Sequence, residues 1–329
     1  MIKTINIFYD EPQNDRWIKY DRYPRNLIRR LIRGKKRPGG VGMIVLNLMK
    51  GLDLLGVPYR LNDYRYARAH PEEIVCLIGM PFLLYTRSWK NPILFGAGIF
   101  SHPISCPDLL SRYPQVKKIL VPGEWMRRMF EPFYQEKVMA WPVGIDTAKW
   151  SPDIKGATII DFLLYDKVRW QHDRYEQDLL QPVRDLLDSR GFSYQVITYG
   201  QYQPEELAAA LKTCKSALFF CEHETQGLAY QQILSTNTPI LAWDRGGYWQ
   251  DPAYFPDQVK YGPVSSVPYW DERCGITFTG MSDFELKLNL FVAGLPGFKP
   301  RDYIMENLTL EKCAEAYVHI YNEILRAQR

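Results

Sequence analysis

The sequence predicts an α/β protein built from two doubly wound parallel sheets. Apolar runs of strand length alternate with helix-like stretches through most of the chain, which is the rhythm of a parallel sheet with helices on both faces. A stretch rich in Pro, Gly and turn formers, WPVGIDTAKWSP at 141–152, interrupts this rhythm, which then begins again. Because the chain has 329 residues, we expect two domains of similar type.

The first half contains a series of predicted strands and a helix that begins after a glycine run. In that run, Gly39, Gly40 and Gly42 precede MIVLNLMKGLDLLG, whose apolar residues recur at helical spacing. Another helix-like stretch, GEWMRRMFEPF, follows the last of these strands. The predicted strands are Ile5–Tyr9, Val57–Leu61, Glu73–Gly79, Pro92–Phe100 and Val116–Val121.

The second half repeats the pattern and closes on an amphipathic helix. Thr309 is the expected N-cap of that last helix. The other predicted helices are Tyr175–Arg190, Pro204–Thr213 and Leu228–Ser235. The predicted strands are Ile159–Tyr165, Ser193–Tyr199, Ala217–Cys221, Pro239–Trp243 and a short last one, Gly275–Thr279.

Composition and charge are those of an ordinary globular protein. The net charge of +4 is too small to indicate nucleic-acid binding, and no run of about 18 uncharged apolar residues predicts a membrane-spanning helix. The six cysteines form no Cys-x-x-Cys pair, and we expect them to be buried free thiols in a reducing compartment. With no signal-peptide pattern at the N-terminus, the expected location is the cytoplasm.

One segment is strongly basic. Between Arg16 and Arg37, ten Lys and Arg residues are opposed only by Asp21. The core of the segment, NLIRRLIRGKK, places four apolar residues on one face of a short helix with arginines around them. Two interpretations stay open. Residues 16–37 either contact an anionic membrane surface or lipid-linked acceptor, or form a basic insertion whose apolar face packs on the first domain.

A dense polar cluster, EHETQG at 222–227, follows the predicted strand Ala217–Cys221. Ligands of open α/β sheets bind at the carboxyl ends of strands. The cluster ends in a glycine turn and a helix start, whose N–H groups and partial positive charge suit a diphosphate. The alternative is an ordinary polar turn at the surface. The residues expected to bind substrate here are Glu224, Gln226, Gly227, Leu228 and Gln232, with His223 adjacent to them.

The order of several motifs resembles that of retaining GT-B glycosyltransferases, in particular the large family-4-type group with two glutamates separated by seven residues. The span from Glu224 to Gln232, followed by ILSTNTPILAWDRGG, is similar to the donor-site signature of that group. GGVGMIVLNLMKGLDLLGVPY is similar to its glycine loop and first helix, and LVPGEWMRRMF to the strand and helix before its linker. WPVGIDTAKWSP is similar to the linker, and RDYIMENLTLEKCAEAYVHIYNEIL to the closing helices.

The resemblance implies two Rossmann-like domains with a cleft between them. They would be an acceptor-side domain at 1–147 and a nucleotide-sugar-binding domain at 148–309, with a closing helix at 310–329 that packs back on the first domain. The implied activity is metal-independent transfer of a sugar from a nucleotide-diphosphate donor to a glycan, lipid-linked or small-molecule acceptor, with retention of anomeric configuration and no cofactor.

The resemblance also implies residue roles. Lys167 and Arg169, which directly follow the strand Ile159–Tyr165, would neutralise the leaving diphosphate, the alternative being solvated loop charges. Glu224 would orient the donor sugar. His102 would lie near the reacting sugar carbon, the alternative being a structural histidine.

The glycine run of the first half has two interpretations as well. Gly40 and Gly42 would let the backbone approach the diphosphate, because they carry no side chain. The alternative is a helix start that needs no ligand.

The sequence departs from the family pattern at two places. The second glutamate is replaced by Gln232, and the spacing of Lys167 and Arg169 differs from the family's, which leaves Arg174 as another candidate cation. No Asp-x-Asp motif is present, so we predict no metal site. Two alternative functions stay open. One is a non-catalytic nucleotide-sugar-binding protein, which Gln232 favours, and the other is a nucleotide-sugar epimerase on the same fold.

Overall fold

The computed structural model describes residues 4–10, 39–79 and 81–328. Within them, the chain divides into two compact units. The first contains the described residues up to Pro122, Arg127–Trp141, and the chain from Cys313 onward. The second contains Gly123–Met126 and Pro142–Lys312. The basic segment 16–37 lies outside the described residues, so both of its interpretations stay predictions.

The first unit contains a parallel sheet in which the described strands follow the order β2-β1-β3-β4-β5-β6. This order reverses between β1 and β3, as in the flavodoxin-like type of doubly wound sheet. The inner strands β1, β3 and β4 are wholly buried, which is expected when helices cover both faces of a parallel sheet, whereas the edge strands β2 and β6 are mostly half-buried. Their bounds are β1 Ile5–Phe8, β2 Tyr59–Leu61, β3 Val75–Leu77, β4 Ile93–Phe95, β5 Val116–Val121 and β6 Val138–Ala140.

Helices connect these strands in the rhythm that the sequence predicts. The helix after the glycine run begins at Gly40, and the helix that closes the chain begins after Thr309, whose hydroxyl accepts a hydrogen bond from the Lys312 N–H at 3.2 Å. The predicted cap is therefore confirmed. The helices are α1 Gly40–Leu54, α2 Tyr64–Ala69, α3 Phe82–Thr86, α4 Leu109–Arg112 and α5 Glu124–Tyr134, and single 3₁₀ turns lie at Pro103–Ser105 and Gln135–Lys137.

The second unit contains a parallel sheet with the strand order β11-β10-β9-β7-β8. Here the order reverses between β7 and β9, so this sheet has the same type of switch point as the first. The strands are β7 Ile160–Asp166, β8 Tyr194–Thr198, β9 Cys214–Phe220, β10 Ile240–Trp243 and β11 Gly275–Phe278.

Helices of the second unit begin with α6 and a π-helical turn at Glu176–Leu180, which leads directly into α7. One apolar cluster joins a face of the sheet to α7 and α10 through side chains such as Phe220, Leu187 and Phe291, each fully buried. The helices are α6 His172–Tyr175, α7 Gln181–Ser189, α8 Pro204–Thr213, α9 Leu228–Ser235, α10 Met281–Gly294 and α11 Pro300–Asn307, and short 3₁₀ turns lie at Pro152–Ile154 and Leu295–Gly297. The closing helix, α12 Leu310–Ala327, begins in this unit and belongs to the first unit from Cys313 onward.

One predicted strand is wrong in length. The prediction Pro92–Phe100 contains only three strand residues, Ile93–Phe95. Gly96 and Gly98 follow with φ angles of +121° and +89°, a conformation that turns the chain out of the sheet. An added Cβ at Gly96 would lie 2.1 Å from the carbonyl oxygen of Leu120 in the neighbouring strand, so only glycine allows this close approach.

The cysteines are buried and free, as the sequence predicts. Burial raises the pKa of the thiols of Cys76 and Cys313 to about 12, so neither ionises near neutral pH. Among the helices of the described chain, none is long and apolar enough to cross a membrane.

Candidate functional site

The polar residues of the second unit meet at the switch point of its sheet. Lys167 and Arg169 follow β7, and Glu222 and Glu224 follow β9, which pairs with β7. The backbone N–H of Lys167 donates to the carbonyl oxygen of Phe220 at 2.8 Å, so the register of the two strands continues to this edge. Doubly wound sheets bind ligands at this kind of position, outside the carboxyl ends of strands on either side of the reversal.

Lys167 and Glu224 form an ion pair between Nζ and Oε2. The two side chains are only 12% and 9% exposed. Burial by itself lowers the pKa of Lys167, but the carboxylate of Glu224 more than offsets this, so the net pKa is raised and the ammonium stays charged. The Nζ atom also lies 4.5 Å from the centre of the Tyr199 ring, a cation–π distance.

Glu224 is held in place by its backbone as well as by its side chain. Its N–H donates to the Ser265 carbonyl oxygen, and its own carbonyl oxygen accepts from the indole N–H of Trp125, both at 2.9 Å. The other carboxylate oxygen, Oε1, accepts from the Thr225 N–H at 3.0 Å. The carboxylate therefore has a fixed position beside Lys167.

Glu222 fixes the backbone that carries Arg169. The buried carboxylate accepts from the N–H groups of Arg169, at 2.9 and 3.1 Å, and of Trp170, at 2.7 Å. Arg169 itself is exposed, and its guanidinium lies 5.0 Å from the centre of the Trp170 ring. The structure thus brings Lys167 and Arg169 to one edge but gives them different surroundings. Arg174 lies on α6, where it pairs with Asp178 in an exposed position.

Gly227 is the N-cap of α9 and has a φ of +74°. An added Cβ there would lie 2.0 Å from Cε1 of Tyr230, a ring that is fully buried. Gln226, just before it, is buried; its Oε1 accepts from the Val143 N–H at 3.2 Å, while its Nε2 has no hydrogen-bond partner within the described chain. Leu228 is half-buried at the first position of the helix.

Two neighbouring glutamines on α9 have opposite environments. Gln231 is fully buried and donates to the carbonyl oxygen of Gln226 at 2.7 Å. Gln232, the residue in place of the family's second glutamate, is half-buried. Its amide therefore keeps access to solvent or to a ligand.

His223 lies among three tryptophans, a setting that the sequence does not reveal. The ring centroids of Trp170, Trp125 and Trp249 lie 5.0, 5.7 and 6.3 Å from that of His223. Burial lowers the pKa of His223 to about 4, so the ring is neutral at pH 7. Its Nε2 atom is buried without a partner in the described part of the chain.

Arg245 is a site residue that the sequence reasoning missed. It follows β10, the next strand of the sheet, and is near enough to His223 to disfavour the protonated imidazole. Its Nη2 donates to the Tyr248 carbonyl oxygen at 2.7 Å, whereas its buried Nε has no partner among the described residues. The available signal was its place directly after the predicted strand Pro239–Trp243.

The remaining predicted site residues lie in the first unit. Gly40 begins α1, and an added Cβ there would meet no atom within 4 Å; Gly42 is buried in the same helix. His102 is buried, and its Nδ1 accepts from the Ile104 N–H at 3.1 Å, which caps a 3₁₀ turn. Burial lowers the pKa of His102 to about 4, so this ring is also neutral at pH 7. The structure shows a capping role for His102 and does not test the ligand role.

A group with metal-compatible spacing lies in the first unit. In the described chain, His70, Glu72 and Glu73 place potential ligand atoms within 4.8 Å of one another. Glu73 already accepts from the side chains of Asn6 and Tyr66. Because exposed acidic groups of this kind are common, the cluster assigns no metal.

The sequence matches no protein-family model and no curated protein. Solved structures with a similar fold include the apo form of a lipopolysaccharide outer-core galactosyltransferase, WaaB. The identity is 13% and the TM-score 0.51, with 87% of this chain and 96% of that chain covered. WaaG, a glycosyltransferase involved in lipopolysaccharide biosynthesis, gives 12% identity, a TM-score of 0.49, and coverage of 87% of this chain and 97% of that one.

A third similar structure contains accessory secretory proteins 1, 2 and 3 of Streptococcus pneumoniae, with 10% identity, a TM-score of 0.49 and 80% of this chain covered. The chain spans only 56% of the length of that neighbour. At these identities, the similarity informs on fold alone. Two parallel sheets with alternating helices, together with the likeness to the galactosyltransferase, show that this chain has the GT-B fold of two Rossmann-like domains.

Proposed function

We propose that the chain is a glycosyltransferase that moves a hexose-type sugar from a nucleotide-diphosphate donor to a glycan, lipid-linked or small-molecule acceptor. The observation that carries this proposal is the Lys167–Glu224 pair at the switch point of the second sheet. It places a cation suited to a diphosphate beside a carboxylate suited to sugar hydroxyls. The GT-B fold shared with a galactosyltransferase supports the same activity.

Donor binding would exchange the partner of Lys167. A diphosphate oxygen would replace the Glu224 carboxylate at the ammonium, and the carboxylate would then accept hydrogen bonds from the sugar. Such an exchange keeps the ammonium paired with an anion and the carboxylate hydrogen-bonded, which matters because an unsatisfied charge in a nearly buried position is costly. Arg169, exposed at the same edge, would add a second cation, and the start of α9 at Gly227 would direct N–H groups at the phosphates.

The departing nucleotide diphosphate would be stabilised by protein groups rather than by a metal ion. Lys167, Arg169 and the N-terminus of α9 would act as fixed positive charges, each worth on the order of 3 kcal/mol in a site that excludes water. Retention of the anomeric configuration belongs to the same proposal. Gln232, half-buried in the second turn of α9, would hydrogen-bond the ribose.

A thermal-shift screen against UDP-, GDP-, ADP- and dTDP-sugars tests donor binding. A ligand at about 100 times its dissociation constant adds roughly 2.7 kcal/mol of stability. With the donor identified, Glu224→Ala should lower turnover more than affinity for the free nucleotide diphosphate, because Glu224 would contact the sugar. Glu272→Ala, at an exposed position of the same unit, serves as control. An equal loss of affinity and turnover would show that Glu224 has another role.

Three further measurements separate the proposal from its alternatives. Full activity in EDTA supports the metal-independent mechanism, and activity restored only by Mg²⁺ or Mn²⁺ contradicts it. NMR of the product's anomeric centre tests retention.

Product analysis separates the alternative functions. A protein that binds a nucleotide sugar but neither transfers the sugar nor releases nucleotide diphosphate is a binding protein. One that changes the sugar without an acceptor is an epimerase.

A further inference from the structure

The first unit contains a cavity that the proposed chemistry does not use. It has a volume of about 480 Å³, within the usual range for small-molecule sites. Residues of α2 line one side, and the segment between α3 and β4 lines the other. None of the residues that line it is acidic.

Three cations surround this cavity without a carboxylate partner. Arg68, Arg87 and Lys90 are all exposed, and no acidic side chain of the described residues lies within ion-pair distance of them. Arg68 donates to the Tyr64 carbonyl oxygen at 3.2 Å, and the guanidinium of Arg87 lies 4.4 Å from the centre of the Tyr64 ring. Among the described residues the charge at the cavity lining is therefore positive, and a carboxylate that acts on this wall is that of Asp10, since burial and then Asp10 raise the pKa of Tyr64.

The walls of the cavity are aromatic and fixed in position. The indole N–H of Trp89 donates to the Leu83 carbonyl oxygen at 2.9 Å, and the Trp89 and Tyr64 rings both pack on Phe8 with centroids 4.9 Å away. The buried amide of Asn91 donates to three carbonyl oxygens at the end of α2 and in the following turn, at 2.8, 3.0 and 3.2 Å. A rigid wall lowers the entropy cost of binding a ligand.

A second groove borders the cavity. The groove has a volume of about 760 Å³ and shares Pro71 and Lys90 with the cavity. It adds Lys117 and Lys118, of which Lys118 pairs with Glu323 at 3.8 Å. Cations thus line both the cavity and the groove, and the groove also contains the acids Glu72 and Glu323.

We propose that this cavity and groove bind an anionic oligosaccharide, with one acidic sugar packed against the indole of Trp89, whose ring contacts that of Tyr64 at a centroid distance of 6.0 Å. The indole matches the apolar face of a pyranose ring. The guanidinium of Arg87 can bind its carboxylate or phosphate with two parallel hydrogen bonds, and the ammonium of Lys90 adds a second positive charge. A neutral sugar lacks the charge, and a bare anion lacks the ring, so neither satisfies both walls.

Calorimetric titration of the intact chain with three probes tests the proposal. Tetragalacturonate carries carboxylates on sugar rings, maltotetraose carries rings without charge, and tripolyphosphate carries charge without rings. We expect tetragalacturonate to bind about tenfold or more tighter than either of the others. Equal binding of tripolyphosphate would show a non-specific anion patch, and equal binding of maltotetraose would remove the role of the cations. Either result, or no binding of tetragalacturonate, overturns the proposal.

Variants locate the site. Arg87→Ala combined with Lys90→Ala should weaken tetragalacturonate binding about tenfold or more, because both exposed cations are lost. Arg65→Ala is the matched control, since Arg65 is an exposed arginine of α2 that does not line the cavity, and it should change affinity less than about twofold. Unchanged binding in the double variant, with an unchanged melting temperature, places the ligand elsewhere. The readout needs no sugar transfer, so it is independent of the proposed activity.

Discussion

The ammonium of Lys167 and the carboxylate of Glu224 are joined in an ion pair whose members follow neighbouring strands of one sheet. Because both side chains are nearly buried, removing one of them leaves the other as an unpaired buried charge. We expect Lys167→Met to lower the free energy of unfolding by about 3 kcal/mol, and the double variant with Glu224→Gln to recover much of this loss. Urea denaturation measures both values.

The matched control for this cycle is Lys215, which pairs with Asp161 at 2.7 Å in the same unit but is 47% exposed. Lys215→Met should cost no more than about 1 kcal/mol. If Lys167→Met and Lys215→Met destabilise the protein equally, the pair at the switch point is solvated and the argument from burial fails.

Replacing Gly227 should damage the turn that begins α9. Its positive φ strains any L-residue, and the added Cβ would collide with the buried ring of Tyr230, whose hydroxyl donates to the Tyr269 carbonyl oxygen at 3.2 Å. Gly200→Ala separates the two effects, because Gly200 has a φ of +82° with no atom near an added Cβ. We expect Gly200→Ala to cost about 1 kcal/mol and Gly227→Ala clearly more, by urea denaturation. Similar costs would show that the Tyr230 ring moves freely.

The sequence predicts the alternation of strands and helices well where the local signals are strong. The strand Val116–Val121 and the helices Pro204–Thr213 and Leu228–Ser235 have the predicted bounds. The helix Met281–Gly294 was missed. Its exposed Leu286 and Leu290 add apolar residues outside the buried face, so the helical period is hidden.

Only those residues of the candidate site that directly follow a predicted strand could be predicted from the sequence. Glu224 and Lys167 each follow a predicted strand, and the carboxyl edge of the sheet brings them together. The surroundings of His223 depend on Trp125 and Trp249, which are far away along the chain, and no local pattern indicates such a contact. The strand order that makes β7 and β9 neighbours also comes from tertiary structure, because sequence rhythm does not fix it.

Gln232 stands where the glycosyltransferase family that the sequence resembles has its second glutamate. Variants at this position test whether the side chain contacts the nucleotide. Because the amide is half-buried on α9, Gln232→Ala should lower affinity for the preferred nucleoside diphosphate about tenfold and leave the melting temperature unchanged. Gln232→Glu should keep the affinity near that of the wild type, since a carboxylate also accepts from ribose hydroxyls. Gln231→Ala, which removes a buried hydrogen bond, should instead lower stability. Unaltered affinity in Gln232→Ala would mean that this side chain does not reach the nucleotide.

The buried His223 should make the fold sensitive to acid. Its pKa is lowered from 6.5 to about 4 by burial, so between these pH values the unfolded chain binds a proton that the folded chain does not. Stability then falls as the pH falls through this window, by on the order of 3 kcal/mol for such a shift. His223→Phe keeps an aromatic ring among the tryptophans and cannot be protonated, so its stability should fall less between pH 7 and 4.5 than that of the wild type. Burial also lowers the pKa of His102 to about 4, so His102 still contributes to the acid sensitivity of this variant.

Urea denaturation at the two pH values gives the comparison, and His319→Gln, at a 67% exposed side chain, is the control expected to follow the wild type. If His223→Phe loses as much stability in acid as the wild type does, His223 is already protonated in the folded protein and its surroundings are wetter than the contacts with Trp125 and Trp170 indicate.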